Sequence, residues 1–233
     1  MAKLLVGSEG TLATFKNIEL YLQQIPQHKV MGVCHFPTFY AAMDAAQHLV
    51  KLDPVAVELI DRTMIELARN IPIFKSTIDS FVKGEPDAVL LVEFSGDDLG
   101  SLREKLQELD TMMSDLGYPK AIIEAIDPVF QNKITEVRQQ GLNIMMSMKT
   151  SGKPVSFIED CAVPLENLAE YTHRLTEVFK KYGTEGTWYA HASVGCLHVR
   201  PVLDMKKGED VKKMRAIAEE AFEMVRELSL IHI

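Results

Sequence analysis

The sequence predicts an α+β domain built on an antiparallel sheet, and two observations support this class. Short apolar segments of strand type alternate with segments whose apolar residues recur at helical spacing. The order is β-α-β-β-α-β over residues 28–126 and β-α-β-β-α over residues 154–228. The first order is that of the split, ferredoxin-like unit, and the second lacks only its last strand. We therefore expect a duplicated, ferredoxin-like antiparallel sheet with helices packed on one face.

The first half begins with a short, partly alternating apolar segment that predicts a strand. A helix follows, with Pro37-Thr38 at its start and Asp53-Pro54 after its end. The elements predicted for this half are strands over residues 28–36, 55–60, 88–94 and 120–126 and helices over residues 39–50 and 97–116. Two of these strands end alike, at residues 57–61 and 123–127, which also indicates a duplication.

The second half is joined to the first by a helix predicted over residues 128–148. The elements predicted after it are strands over residues 154–159, 187–192 and 197–203 and helices over residues 164–181 and 208–228. An unfilled place at the edge of a sheet exposes backbone N–H and C=O groups, which natural chains usually avoid. We therefore expect the sequence to be cut near its C-terminus, with residues 229–233 as a non-native tail.

Composition excludes several classes of function. The 233 residues include 25 Lys and Arg against 33 Asp and Glu, a net charge of −8. That excess of acid argues against nucleic-acid binding, which needs basic side chains to displace phosphate counterions. No apolar stretch approaches the ~20 residues of a membrane span. Three cysteines are too few for a disulfide framework. A soluble, cytoplasmic chain is expected.

The segment from Tyr189 to Pro201 carries the most chemical information. If Val194-Gly195 forms a two-residue hairpin turn, His191 lies directly opposite His198 on one face of the sheet. Two imidazoles so placed can bind one divalent cation. Arg200 lies two residues beyond His198 and shares its face, where a guanidinium can clamp a carboxylate. The alternative is that both histidines merely lie on a half-exposed hairpin, since two ligands are fewer than the three of a catalytic zinc.

Two motifs resemble those of a known family. The segment Gly7-Ser8-Glu9-Gly10-Thr11-Leu12 resembles the end of the FAD-binding domain in FAD-linked oxidases of the vanillyl-alcohol oxidase type. The stretch from His191 to His198 is similar to the His-x-Gly-Asp-Gly-Asn-Leu-His motif of their C-terminal domain. Glycolate oxidase flavin subunits, D-lactate dehydrogenases and D-2-hydroxyglutarate dehydrogenases share this motif. The segments at residues 57–62 and 157–164 resemble the members fused to an iron–sulfur region.

The resemblance implies a domain division and a set of cofactors. Residues 1–24 would be the remnant of an FAD-binding domain, and residues 25–228 the FAD-linked oxidase C-terminal, or cap, domain. FAD would be bound mainly by the missing FAD-binding domain, with Gly7, Ser8, Glu9, Gly10 and Thr11 contributing. The resemblance also allows a divalent metal (zinc, iron or manganese) on His191 and His198. It further allows an iron–sulfur cluster elsewhere in the parent protein, a homodimer, and a parent protein peripheral to the inner membrane.

The implied activity is the oxidation of a D-2-hydroxy acid of the lactate, glycolate or 2-hydroxyglutarate type, with an electron acceptor that the motifs do not identify. Arg138 resembles the family arginine that binds the substrate carboxylate, and Arg200 would assist it; a solvated helix arginine is the alternative for Arg138. His191 and His198 would act on the hydroxyl. This fragment alone is expected to be inactive.

The sequence departs from the family pattern in ways that weaken the metal assignment. Ser193, Val194 and Cys196 replace the Gly, Asp and Asn of the motif. The family's third ligand follows the last helix, where this sequence has residues 229–233 instead. The main rival interpretation is a non-catalytic, ferredoxin-like module that binds a small ligand or a metal. A third interpretation is a purely structural cap that shapes an interface.

Overall fold

A computed structural model describes residues 1–159 and 161–228 of the chain. Within these residues the strands form one antiparallel sheet, in the order β4-β1-β3-β2-β7-β8-β5, with β6 also paired to β8. The strands are β1 (His28–Phe36), β2 (Ala56–Asp61), β3 (Ala88–Gly96), β4 (Ile122–Ala125), β5 (Lys153–Pro154), β6 (Cys161–Ala162), β7 (Gly186–His191) and β8 (Cys196–Leu203). The helices are α1 (Ala2–Leu5), α2 (Phe39–Leu49), α3 (Arg62–Arg69), α4 (Pro72–Phe81), α5 (Leu99–Asp115), α6 (Pro128–Gln139), α7 (Gly141–Met146), α8 (Leu168–Lys181) and α9 (Gly208–Leu228).

The sheet confirms the predicted α+β class and its duplication. The order β4-β1-β3-β2 in the first half is that of a ferredoxin-like unit. The second half repeats it from the other side, with β7 next to β8 and β8 next to β5 and β6. The halves meet where β2 pairs with β7, so that Glu58 lies opposite His191. We call the line between β2 and β7 the seam.

Helices cover both faces of the sheet, which corrects the expectation of one covered face. The first face packs against α2, α5, α8 and α9. The second packs against α3, α4, α6 and α7. The reason is visible in β1, where Val30 and Cys34 face the first group while Met31 and Val33 face the second. A strand buried on both faces is a nearly continuous apolar run, and β1 and β3 have that composition.

The helices α3 and α4 occupy a stretch for which the sequence analysis predicted no regular structure. Asp61 caps the N-terminus of α3, its carboxylate accepting the Met64 N–H at 2.9 Å. Pro72 stands in the first turn of α4, where its missing N–H costs nothing. Both start signals are present in the sequence. The helices are short, with 8 and 10 residues, so their apolar residues recur over few turns and give a weak helical pattern. Both helices contribute to the core on the second face, where α3 packs against β2 and β7.

A regular strand was predicted over residues 154–159, and this prediction is wrong, because β5 ends at Pro154. The described residues of this stretch pair with β8 through β5 and β6, and the Val155 N–H also donates to the Pro201 carbonyl at 2.9 Å. The register changes between these two pairings, because Pro154 lies opposite Val202 whereas Cys161 lies opposite Leu197. The helix predicted over residues 128–148 is likewise divided, into α6 and α7, at Gln140.

The N-terminal segment, residues 1–27, does not join the cores. Its described residues after α1 form turns and irregular backbone. Its large apolar side chains are exposed; they include Leu4, Val6, Leu12, Phe15, Ile18, Leu20, Tyr21, Leu22 and Ile25. None of the described helices combines the length and apolar character needed to cross a membrane. The tail predicted at residues 229–233 lies outside the described residues.

Candidate functional site

Polar side chains collect on the second face of the sheet at the seam. Alternation along β7 and β8 places Tyr189 and His191 on this face together with His198 and Arg200. Glu58 reaches it from β2, because it lies directly opposite His191. The site therefore combines residues of both halves of the duplicated sheet.

The hairpin register differs from the prediction by two residues. His191 pairs with Cys196, and His198 pairs with Tyr189. The connection is a 3₁₀ turn over Ala192–Val194 followed by Gly195, which has φ of +66°. A two-residue turn would have required Val194 at positive φ or Gly at the first position, so Val-Gly suits neither type. A shift of two residues preserves the face, and the rings of His191 and His198 lie edge to face with centroids 5.2 Å apart.

Glu58 connects two of the predicted site residues. Its Oε2 accepts a hydrogen bond from Nη2 of Arg138 at 2.6 Å. Its Oε1 is 2.8 Å from Nδ1 of His191. Arg138 stands near the end of α6 and is largely buried, with 17% of its side chain exposed. Its Nε is buried and has no hydrogen-bond partner among the described residues. Arg138 is therefore a partly desolvated guanidinium and not the solvated helix arginine of the alternative reading.

Tyr189 forms an aromatic platform at the centre of the site. The ring of His198 stacks on it at 4.7 Å between centroids. The guanidinium carbons of Arg138 and Arg200 lie 5.3 Å and 5.9 Å from its centroid. Arg200 also forms an ion pair with Glu159, and the two side chains are 14% and 19% exposed. Both arginines are thus oriented by an aromatic ring and a carboxylate.

Asp61 links β2 and β7 on the first face of the sheet, opposite to the site. Its carboxylate accepts the N–H of Trp188 on β7 at 3.1 Å in addition to capping α3. Burial raises the pKa of Asp61 to about 7, although the N–H groups of Met64 and Trp188 act in the opposite direction. The two halves are joined here by a buried carboxyl group as well as by the ladder.

The metal predicted on His191 and His198 does not have a complete set of ligands in the described residues. Across residues 1–159 and 161–228, no group of three or more His, Cys, Asp or Glu side chains is arranged to hold a metal ion. Two imidazoles are fewer than the three protein ligands of a catalytic zinc. A metal at this position would need a further ligand from elsewhere in the protein.

The segment predicted to contribute to FAD binding lies far along the chain from this site, in the exposed N-terminal segment. Gly7 and Gly10 have φ of +82° and +79°, and no atom would crowd a side chain at either position. Thr11 donates its hydroxyl hydrogen to the carbonyl of Ser8 at 2.6 Å, and Glu9 also has positive φ. These residues form turns in which the N–H groups of Ser8 and Thr11 donate to the carbonyls of Leu5 and Ser8. Their role toward FAD remains a prediction.

Glu58 and Tyr189, which contact the predicted arginines and histidines, were not predicted as residues of the site. Glu58 is a charged residue inside an otherwise apolar strand, and that placement was its only signal in the sequence. Tyr189 lies two residues before His191 and so must share its face. Neither signal specifies a partner, because Glu58 and Arg138 are 80 residues apart.

This fold and site define a domain that presents two arginines and two histidines on one face of a duplicated antiparallel sheet. The profile of the family described as "FAD linked oxidases, C-terminal domain" matches residues 25–229. The chain belongs to this family.

Curated relatives are similar over nearly the whole chain. A D-2-hydroxyglutarate dehydrogenase of Haemophilus influenzae is 28% identical over 96% of the chain, which spans 23% of that protein. The protein of the same name from Escherichia coli is 27% identical over 94% of the chain and 22% of its own length. The mitochondrial D-lactate dehydrogenase [cytochrome] of Arabidopsis thaliana is 29% identical over 90% of the chain and 35% of its own length. The chain thus spans about a quarter to a third of these relatives.

Solved structures share the fold. The 4-ethylphenol oxidase of Gulosibacter chungangensis aligns with a TM-score of 0.59 at 10% identity, covering 88% of the chain and 45% of that protein. p-Cresol methylhydroxylase aligns with a TM-score of 0.59 at 12% identity, covering 88% of the chain and 44% of that protein. At this identity the likeness concerns the fold alone.

Proposed function

We propose that the chain is the substrate-binding, or cap, domain of an FAD-dependent dehydrogenase that oxidises D-2-hydroxy acids to 2-oxo acids. The family and the names of the curated relatives support the class of reaction. The observation that carries the proposal is the arrangement of Arg138 and Arg200 around the Tyr189 ring, beside His191 and His198. Carboxylate binding and proton transfer are the two tasks that such a reaction requires of protein side chains.

The arginines are assigned to the substrate carboxylate. A guanidinium binds a carboxylate through parallel N–H donors, and partial burial strengthens the interaction. Glu58 accepts a hydrogen bond from Nη2 of Arg138, while the buried Nε has no partner among the described residues. The described residues therefore do not supply acceptors for all N–H donors of this guanidinium. A substrate carboxylate at Arg138 or Arg200 would direct the adjacent carbinol toward the imidazoles.

The imidazoles are assigned the role of accepting the proton of the substrate hydroxyl. A neutral imidazole of His191 or His198 accepts that proton as general base while hydride leaves the substrate Cα. FAD, held mainly by the FAD-binding domain outside this chain, would supply the acceptor for the hydride. No step in this scheme passes through a metal, because the described residues supply only two imidazole ligands and no completed metal group.

The proposal is tested on the full-length protein that contains this chain, loaded with FAD. We expect it to oxidise the D isomer of 2-hydroxyglutarate or lactate, or glycolate, with an artificial dye as acceptor. Arg138→Lys and Arg200→Lys should each raise KM by roughly 10- to 100-fold, because a charged hydrogen bond contributes about 1.5–3 kcal/mol. Arg174→Lys is the matched control, since Arg174 lies on α8, which covers the opposite face of the sheet, and forms ion pairs with Glu170 and Glu227.

The decisive contrary result is a flavin-loaded protein that oxidises none of these acids. Binding of an acid without reduction of the flavin would instead support the non-catalytic module. A KM unchanged by both lysine substitutions would remove the arginines from the carboxylate site.

A further inference from the structure

We propose that Glu58 is a positioning residue of this site, one that fixes His191 in a single tautomer and holds Arg138 over the aromatic platform. Neither the sequence motifs nor the family resemblance assigned a role to Glu58. The inference deepens the proposed function and, in its kinetic part, rests on it.

The geometry places Glu58 between the two functional groups. Each of its carboxylate oxygens serves a different partner, Oε2 for Arg138 at 2.6 Å and Oε1 for His191 at 2.8 Å. The carboxylate is 22% exposed, so water screens these contacts only in part. Its position is fixed by the ladder, because β2 pairs with β3 on one side and with β7 on the other.

The contact with His191 determines where the imidazole carries its proton. An ionised carboxylate can only accept hydrogen bonds, so Nδ1 of His191 must be the donor. In the neutral ring Nε2 then keeps its lone pair, and it is the atom that can accept a substrate proton. A carboxylate that selects a histidine tautomer in this way is a recurring device in general base catalysis.

The contact with Arg138 determines where the guanidinium lies. Arg138 projects from α6, and Glu58 ties its Nη2 to the seam while its Cζ stays 5.3 Å from the Tyr189 centroid. Without the carboxylate, a largely buried cation would lack its counter-charge and would move toward solvent. Glu58 thus couples the carboxylate-binding group to the proton-accepting group.

A purely structural link between β2, β7 and α6 would show the same distances, so the test needs a readout that a link would not change. The tautomer of His191 is such a readout. Glu93 is a matched control: it lies on the neighbouring strand β3, on the same face, with 21% exposure and an ion pair to Lys29 at 2.7 Å.

The first experiment measures the ¹⁵N chemical shifts of the imidazole nitrogens of His191 in the chain, at a pH at which the shifts themselves show a neutral ring. The wild type should show the Nδ1–H tautomer. Glu58→Ala should shift the population toward Nε2–H, whereas Glu93→Ala should not. An Nε2–H tautomer in the wild type overturns the inference without any variant, and so does an unchanged tautomer in a folded Glu58→Ala variant.

The second experiment measures kcat and KM in the flavin-loaded full-length protein. Glu58→Gln, which keeps the shape but removes the charge, should lower kcat/KM by roughly 10- to 100-fold. Glu58→Asp should recover part of the loss, and Glu93→Gln should match the wild type. Unchanged kinetics in Glu58→Gln overturn the positioning role. A wild type that oxidises no 2-hydroxy acid defeats the proposed function instead, while the tautomer experiment still decides the contact with His191.

Discussion

Gly195, which ends the turn between the two histidine-bearing strands, should be the glycine at which a methyl group is least tolerated in the hairpin. It has φ of +66°, and a Cβ there would lie 2.1 Å from the carbonyl oxygen of Val163. The left-handed conformation alone costs an L-residue about 1–2 kcal/mol. The clash must also displace Val163, whose N–H donates to the Gly195 carbonyl at 3.2 Å, and losing that bond costs about 1 kcal/mol. Gly195→Ala should therefore destabilise the fold by about 2–3 kcal/mol.

Gly183 provides the matched control for this prediction. It has the same φ of +66°, but no atom lies within 4 Å of its would-be Cβ. Gly183→Ala should therefore show the conformational cost alone, about 1–2 kcal/mol. Urea unfolding measures the free energy of unfolding of both variants. In thermal unfolding, at about 2–4 °C per kcal/mol, Gly195→Ala should melt roughly 4–12 °C below the wild type. Equal losses in the two variants would refute the close approach of Val163 to the turn.

Three further outcomes are expected. Because burial raises the pKa of Asp61 to about 7 from an ordinary value of 3.8, its protonated form favours folding, and its contribution is lost as pH rises from about 4 to about 7. Urea midpoints across this range should lose that slope in Asp61→Asn, and an identical pH profile would contradict the buried carboxyl. Burial lowers the pKa of His35, whose Nδ1 lies 2.9 Å from the Ala121 carbonyl, so its contribution is present above its ordinary pKa of 6.5 and is lost as pH falls below it. His35→Gln should flatten the acid side of the same profile, and a profile as steep as that of the wild type would count against this assignment. Finally, the chain expressed alone should purify without flavin absorbance, whereas a yellow protein would show that it binds FAD by itself.

The sequence was most informative where one segment carries its own signal. Helix α9 has the predicted bounds of residues 208–228, and the strand pattern of the first half revealed the ferredoxin-like order. The face shared by His191, His198 and Arg200 also follows from alternation alone. This prediction of a shared face is correct although the predicted hairpin register is wrong, because a shift of two residues leaves every side chain on its face.

The features that could not be predicted depend on contacts between distant segments. The second layer of helices is needed because β1 and β3 are apolar on both faces, a composition that indicates burial without specifying which helices provide it. The link from Glu58 to Arg138 has no local pattern at all. It arises only when α6 folds back over the seam, which no spacing in the sequence specifies.

The duplication explains why the site lies at the seam. Taken alone, each half would leave β2 or β7 as an open edge with unpaired N–H and C=O groups. Pairing these two edges completes both ladders and brings Glu58 of the first half against His191 of the second. The helix α6, which connects the halves, then places Arg138 over the same line. Polar groups are tolerated there because each arginine meets a carboxylate from another segment, Glu58 or Glu159. Neither half alone could assemble this set, so the chemistry of the domain depends on the joint between its two repeats.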